Sequence, residues 1–230
     1  LVIEFNSFLL NASYWVLPLI IAIPMHEAAH AIAAKYFGDE TAYKLKRATL
    51  NPLKHIDPIG TILLPGILIF IGAPFIFGYA KPVPITIANL KNPKKDMIWI
   101  ALAGPFTNAI LAILGAILLS LVLLIPGDVG DWLRVTVFLI IHINIVLFVF
   151  NLLPILPLDG GRIMIGILPQ NFSRIFSYTE RYGFLILIVL IFALPLLGEQ
   201  IGIELSPLSW VIMPIIGFLE SFLLDLFAIR

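Results

Sequence analysis

Cysteine is absent from this 230-residue chain, and charge is scarce. The first absence excludes disulfides and thiolate metal ligands, so any bound metal must use nitrogen or oxygen; it says nothing of the redox compartment. The second sets the environment. Charged residues make up 12% of the chain, against about 25% in soluble domains. Fourteen basic and fourteen acidic residues balance to zero formal charge, and without a basic excess the chain has no electrostatic footprint for nucleic acid. Hydrophobic residues reach 60%. A chain of this composition is expected to be an integral membrane protein with the lipid bilayer as its solvent.

Apolar segments fall at 8–34, 59–78, 97–125, 132–153, 175–197 and 207–228, most of them long enough for a ~20-residue span. They predict an all-α polytopic bundle of five to six transmembrane helices forming a single domain over 1–230, with a core at about 8–168 and accessory helices over 173–230. No basic leader or small-residue cleavage site precedes the first segment, which therefore reads as a retained helix. Lys35, Lys44, Lys46, Arg47 and Lys54 follow it, and Lys81, Lys91, Lys94 and Lys95 precede the third. Lys and Arg mark cytoplasmic loops, so both clusters belong on one side. The second segment, interrupted by Pro65, Gly66, Gly72 and Pro74, then re-enters rather than crosses. Five spans result, with the N-terminus outside and Arg230 inside; six spans is the alternative.

At the end of the first segment stands His26-Glu27-Ala28-Ala29-His30. Residues four apart share a helix face, so two imidazoles can address one Zn²⁺ while Glu27 stays beside it as general base for attack on a carbonyl. An ionisable cluster in hydrocarbon is a functional site by default. Two histidines leave the metal short of a ligand. Asp159 is the best third donor, set among apolar residues in Asn151-Leu152-Leu153-Pro154-Ile155-Leu156-Pro157-Leu158-Asp159-Gly160-Gly161-Arg162, where a carboxylate needs a cation. Its alternative is an Asp-Gly turn at a helix end. A His₂Asp set would accept several divalent ions, with Zn²⁺ first among them.

HExxH in an early transmembrane helix, followed far downstream by NxxPxxPxDGGR, resembles the site-2 protease family of intramembrane zinc metalloproteases, and the likeness spans most of 20–165. It implies His26, His30 and Asp159 as ligands of one Zn²⁺, Glu27 as catalytic base, and Asn151 near the substrate or oxyanion. Ala103-Gly104-Pro105-Phe106-Thr107-Asn108 is similar to the family's glycine-started segment beside the site; Gly104 and Asn108, four apart, also fit a small-residue packing face. The stretches Thr49–Thr61 and Gly78–Pro84 look like the compact prokaryotic branch, which lacks inserted PDZ and appended CBS domains. Only Pro126 to Asp131 joins the third and fourth segments here. The resemblance implies hydrolysis of peptide bonds in or near transmembrane segments of membrane-protein substrates, in a prokaryotic cell membrane with the site nearer the cytoplasm, and control by the helices themselves or by a separate regulatory or adaptor protein. A zinc- or proton-coupled transporter and a catalytically silent adaptor are the alternatives. The oligomeric state is open.

Three further expectations concern polar residues. His55 and Asp57 are read as structural, Asp57 capping the following segment, with a second metal or gating site as the alternative. His142 and Asn144 either line a polar route to the metal or join helices. The loop Ala80 to Ile87, rich in β-branched residues, is expected to be β-like and to offer a strand edge to an extended substrate.

Overall fold

A computed structural model describes residues 2–64, 66, 67 and 79–229 of the chain. The greater part of the segment read as re-entrant, including Pro65, Gly72, Pro74 and Gly78, lies outside the described residues. Those described form an all-α bundle without a strand. Helix α1 (Val2–Tyr36) leads to the single turn α2 (Thr41–Lys44), and the long helices α3 (Pro93–Val122) and α4 (Gly127–Asn151) form an antiparallel pair. Then come α5 (Asp159–Ile167), α6 (Gln170–Ser177), α7 (Glu180–Ile188), which runs through a wide turn into α8 (Leu194–Ile201), and α9 (Pro207–Leu226). Five helical stretches are long and apolar enough to cross a membrane: Ser13–Tyr36, Pro93–Val122, Gly127–Asn151, Glu180–Ile201 and Pro207–Leu226.

Helix α1 stays helical through Pro18 and Pro24. At 1.5 Å per residue, His26 to His30 lie about 9–15 Å from its end at Tyr36, towards the lysine-bearing loops. Helix α3 is the centre of the bundle and packs on α1, α4 and α5. Small residues set that closeness, as membrane packing requires: a Cβ on Gly115 would sit 2.9 Å from Ile141 Cγ1. Ala112, Ala116, Ile141, Ile145, Ile212 and Ile216 bury a continuous seam between α3, α4 and α9.

The loops at the Tyr36 end are tied by acids that spend their oxygens on backbone groups. Asp57 Oδ1 accepts from the N–H groups of Ile59 and Gly60 and caps the segment that begins at Pro58, as read from the sequence. His55 is buried; its Nε2 faces the Thr49 carbonyl at 2.9 Å and its own carbonyl accepts from Lys81 N–H. Asp39 does the most. Its carboxylate accepts from Thr41 N–H and Oγ1, from Thr86 N–H at 2.7 Å and from Asn89 Nδ2 at 2.8 Å. It thereby fastens the loop before α3 to the end of α1.

The 80–87 loop forms no strand, and the reason is local. Pro82 and Pro84 have no N–H to give, while the N–H groups of Lys81, Val83 and Thr86 donate to the His55 carbonyl, the Glu27 carboxylate and the Asp39 carboxylate. Three of the loop's N–H groups are thus already committed within the protein, two to carboxylates and one to a backbone carbonyl.

Burial pushes the Asp39 carboxyl up, but hydrogen bonds from Thr41, Asn89 and Thr86 outweigh that effect and hold it below the usual carboxylate range. A carboxyl depressed on folding stabilises the fold above its unfolded value, near pH 4, and that contribution fades as pH falls through the folded value. The melting temperature of Asp39→Asn is therefore expected to lie below that of the wild type at neutral pH. The gap should close below about pH 4 in paired thermal melts.

Candidate metal centre

His26 and His30 lie one turn apart on α1, both buried, with Nε2 atoms 3.0 Å apart. Asp159 comes from the first turn of α5 and places Oδ2 3.3 Å from each of them. Its position is built by the residues around it. A Cβ on Gly160 would lie 2.3 Å from the carbonyl oxygens of Leu152 and Leu153, and one on Gly161 2.7 Å from the Ile155 backbone. Glycine at both positions lets the start of α5 press onto the proline turn, and the acid occupies the helix N-terminus, where the macrodipole favours negative charge.

The tautomers follow from the partners on the far side of each ring. His30 Nδ1 is 2.7 Å from the Ile100 carbonyl, which can only accept, so Nδ1 carries a proton and the neutral ring turns its Nε2 lone pair toward Asp159. For His26 the chain is longer. Asn144 Nδ2 donates to the Ile140 carbonyl, Asn108 Nδ2 donates to Asn144 Oδ1, and His26 Nδ1 therefore donates to Asn108 Oδ1 at 2.6 Å. Both asparagines are fully buried. Each imidazole thus has its outer N–H fixed by an acceptor, the arrangement that orients metal-bound histidines.

Two imidazole lone pairs and a carboxylate oxygen converge, and Asp159 Oδ2 is buried without a hydrogen-bond donor. Three electron-rich atoms this close repel unless a cation lies among them. Tetrahedral zinc with bonds near 2.05 Å separates its ligand atoms by about 3.3 Å, which the 3.0 and 3.3 Å spacings fit. The triangle leaves a fourth position for water or substrate, as a catalytic site needs.

Glu27 sits on the adjoining flank of α1. Its Oε2 accepts from Val83 N–H at 2.8 Å, and Oε1 has no hydrogen bond among the described residues. Asn151 turns back to its own helix, with Nδ2 donating to the Leu147 carbonyl at 3.0 Å. Gly104 is where α3 meets the centre: a Cβ there would lie 2.4 Å from His30 Nε2 and 2.6 Å from His26 Cε1. The GPxxN stretch is thus more than a packing face. Asn144 serves the metal centre through Asn108, whereas His142 Nδ1 pairs with Glu220 Oε1 between α4 and α9.

Comparison with known proteins gives this geometry a family. Residues 127–194 match peptidase family M50. A protein of Bacillus subtilis (strain 168) named "Putative zinc metalloprotease YwhC" is 41% identical over 189 residues, which cover 80% of this chain and 81% of that one. The chain belongs to peptidase family M50, the site-2 proteases. The protease is also 30% identical over 186 residues to Rip2 of Mycolicibacterium smegmatis, covering 80% of this chain and 67% of that one, and 43% identical over 139 residues to MJ0611 of Methanocaldococcus jannaschii, covering 60% and 62%; both share the descriptive part of the YwhC name. No solved structure matches it. It is an integral membrane metalloprotease.

Two substitutions separate the His26–His30–Asp159 cluster from the Glu27 carboxylate beside it. Asn108→Ala removes the acceptor behind His26 and is expected to weaken zinc binding roughly ten- to a hundredfold, read by competition with a chromophoric chelator. Val83→Pro removes the N–H on Glu27; loss of a hydrogen bond to a charged group on this scale should lower cleavage on the order of tenfold or more, with zinc content by atomic absorption unchanged.

Proposed function

We propose that this protease hydrolyses peptide bonds in or near the transmembrane segments of other membrane proteins, with His26, His30 and Asp159 holding one Zn²⁺ and Glu27 as the catalytic base. The observation that carries the reading is the convergence of two imidazole Nε2 atoms and an Asp159 oxygen without a hydrogen-bond donor within 3.3 Å, one residue from a carboxylate. Bound zinc would supply Lewis acidity toward the scissile carbonyl and a lowered pKa for water.

The chain's own groups do the rest. Glu27 Oε1 takes the proton of the attacking water and passes it to the leaving nitrogen, while Val83 N–H holds the other carboxylate oxygen. Asn151 has one amide hydrogen engaged by Leu147 and a second to offer a developing oxyanion. A helical substrate hides its carbonyls in hydrogen bonds, so the cleaved stretch must be unwound before it reaches Glu27. The depth of His26 and His30, about 9–15 Å from the end of α1, supports scission toward the lysine-rich side of the bilayer, read as cytoplasmic. Control of substrate entry falls to the helices or to a separate adaptor, and removal of a membrane segment by regulated proteolysis is the resulting activity.

The decisive comparison uses purified wild type and Glu27→Gln on a model transmembrane substrate. Glutamine keeps the shape but cannot take the proton, so cleavage should fall by roughly a thousandfold or more, with zinc content unchanged. A wild type that binds zinc and cleaves nothing would favour transport or adaptor function instead.

A further inference from the structure

Beyond α1 the chain turns through α2 and a left-handed Lys46 (φ 54°) into a short 3₁₀ turn at Pro52–Lys54. This path encloses an open cavity of about 570 Å³ lined by Tyr43, Lys44, Lys46, Ala48, Thr49 and Lys54. Three ammonium groups, a hydroxyl and a phenol line it, with no carboxylate among them. The surrounding acids are largely committed. Asp39 binds Thr41, Thr86 and Asn89, and Asp57 caps the Pro58 segment. Among the described residues Glu40 competes, pairing with Lys44 at 3.3 Å across an exposed gap, where such a pair is weak. Lys46 and Lys54 have no ion-pair partner among the described residues.

The cavity's neighbours are apolar and outward. Leu45, Leu50 and Leu53 are each more than half exposed, as are Tyr36 and Tyr43. Such side chains interleaved with lysines at the end of a membrane-spanning helix match the boundary between headgroups and acyl chains. A free anion would use the lysines but not the leucines. A basic pocket at that depth, beside exposed aliphatic groups, fits a phosphodiester headgroup whose tails run along the leucines.

We infer that the cavity between α2 and Lys54 binds the headgroup of an anionic phospholipid, with Lys44, Lys46 and Lys54 neutralising the phosphate and Leu45, Leu50 and Leu53 contacting its acyl chains. Arg47, between these lysines, donates from Nη2 to the Lys81 carbonyl at 2.8 Å, which joins the lipid-binding turn to the loop that holds Glu27.

The test measures retention of a fluorescent phosphatidylglycerol by the full chain in a neutral detergent, against phosphatidylcholine and with inorganic phosphate as competitor. A membrane-surface lysine contributes roughly fivefold in affinity. The triple variant Lys44→Gln, Lys46→Gln, Lys54→Gln is therefore expected to lose about a hundredfold for phosphatidylglycerol and little for phosphatidylcholine, with its melting temperature and zinc content kept. Wild-type binding should weaken with salt. Equal retention by wild type and triple variant overturns the assignment. So does equal binding of both lipids, or displacement by millimolar phosphate, which would mark a free-anion site.

Discussion

Three electron-rich atoms facing one another inside a membrane repel, and the rest of this fold is arranged to keep them there. Each would relax outward if its support were loose. The supports come from separate directions. Ile100 and Asn108 on α3 fix the outer nitrogens of the two imidazoles. The glycine pair after Asp159 seats the carboxylate against the proline turn. That restraint is what makes a cation the natural occupant and leaves a coordination position open for chemistry.

Helix α3 therefore carries more of the function than its sequence advertises. It offers no metal ligand and no base, yet Gly104 admits the imidazoles, Asn108 sets a tautomer, and the small residues further along bring α4 close enough for Asn144 to complete the chain. Packing and ligand orientation are here the same contacts. Glu27 is served from the opposite side, by a loop that Asp39 fastens to the end of α1. Glu27 and the His26–His30–Asp159 cluster are thus held by different elements and can be disturbed separately.

Much of this was legible in the residues. Hydropathy gives six apolar segments, because a span needs only length and apolar content, and the placement of Lys and Arg reduces them to the five spans expected. HExxH declares its own geometry, since a helix must stack residues four apart. Asp159 was readable for a different reason: a carboxylate among apolar residues asks for a cation. Other features were hidden. Nothing in Val83 marks it as a partner of Glu27, because the group that matters is a backbone N–H shared by every residue but proline. Asn144 looked like a route-lining group or helix glue, since its partner lies 36 positions away on another helix. The 80–87 loop pairs with no strand among the described residues, because β-branched composition reports a preference for extended backbone but not where its hydrogen bonds go.

The division between sequence and structure follows the range of the interactions. By itself the sequence determined the membrane setting, the helical class, the donor chemistry open to a metal and the pair of histidines, because composition and periods of three to four residues settle these locally. Tertiary structure decided that Asp159 meets those histidines across a gap of more than 120 residues, that both turn Nε2 toward it, and that Val83 N–H bonds the Glu27 carboxylate. Each of these depends on directional contacts of a few ångströms between distant segments, and only the packed bundle defines them.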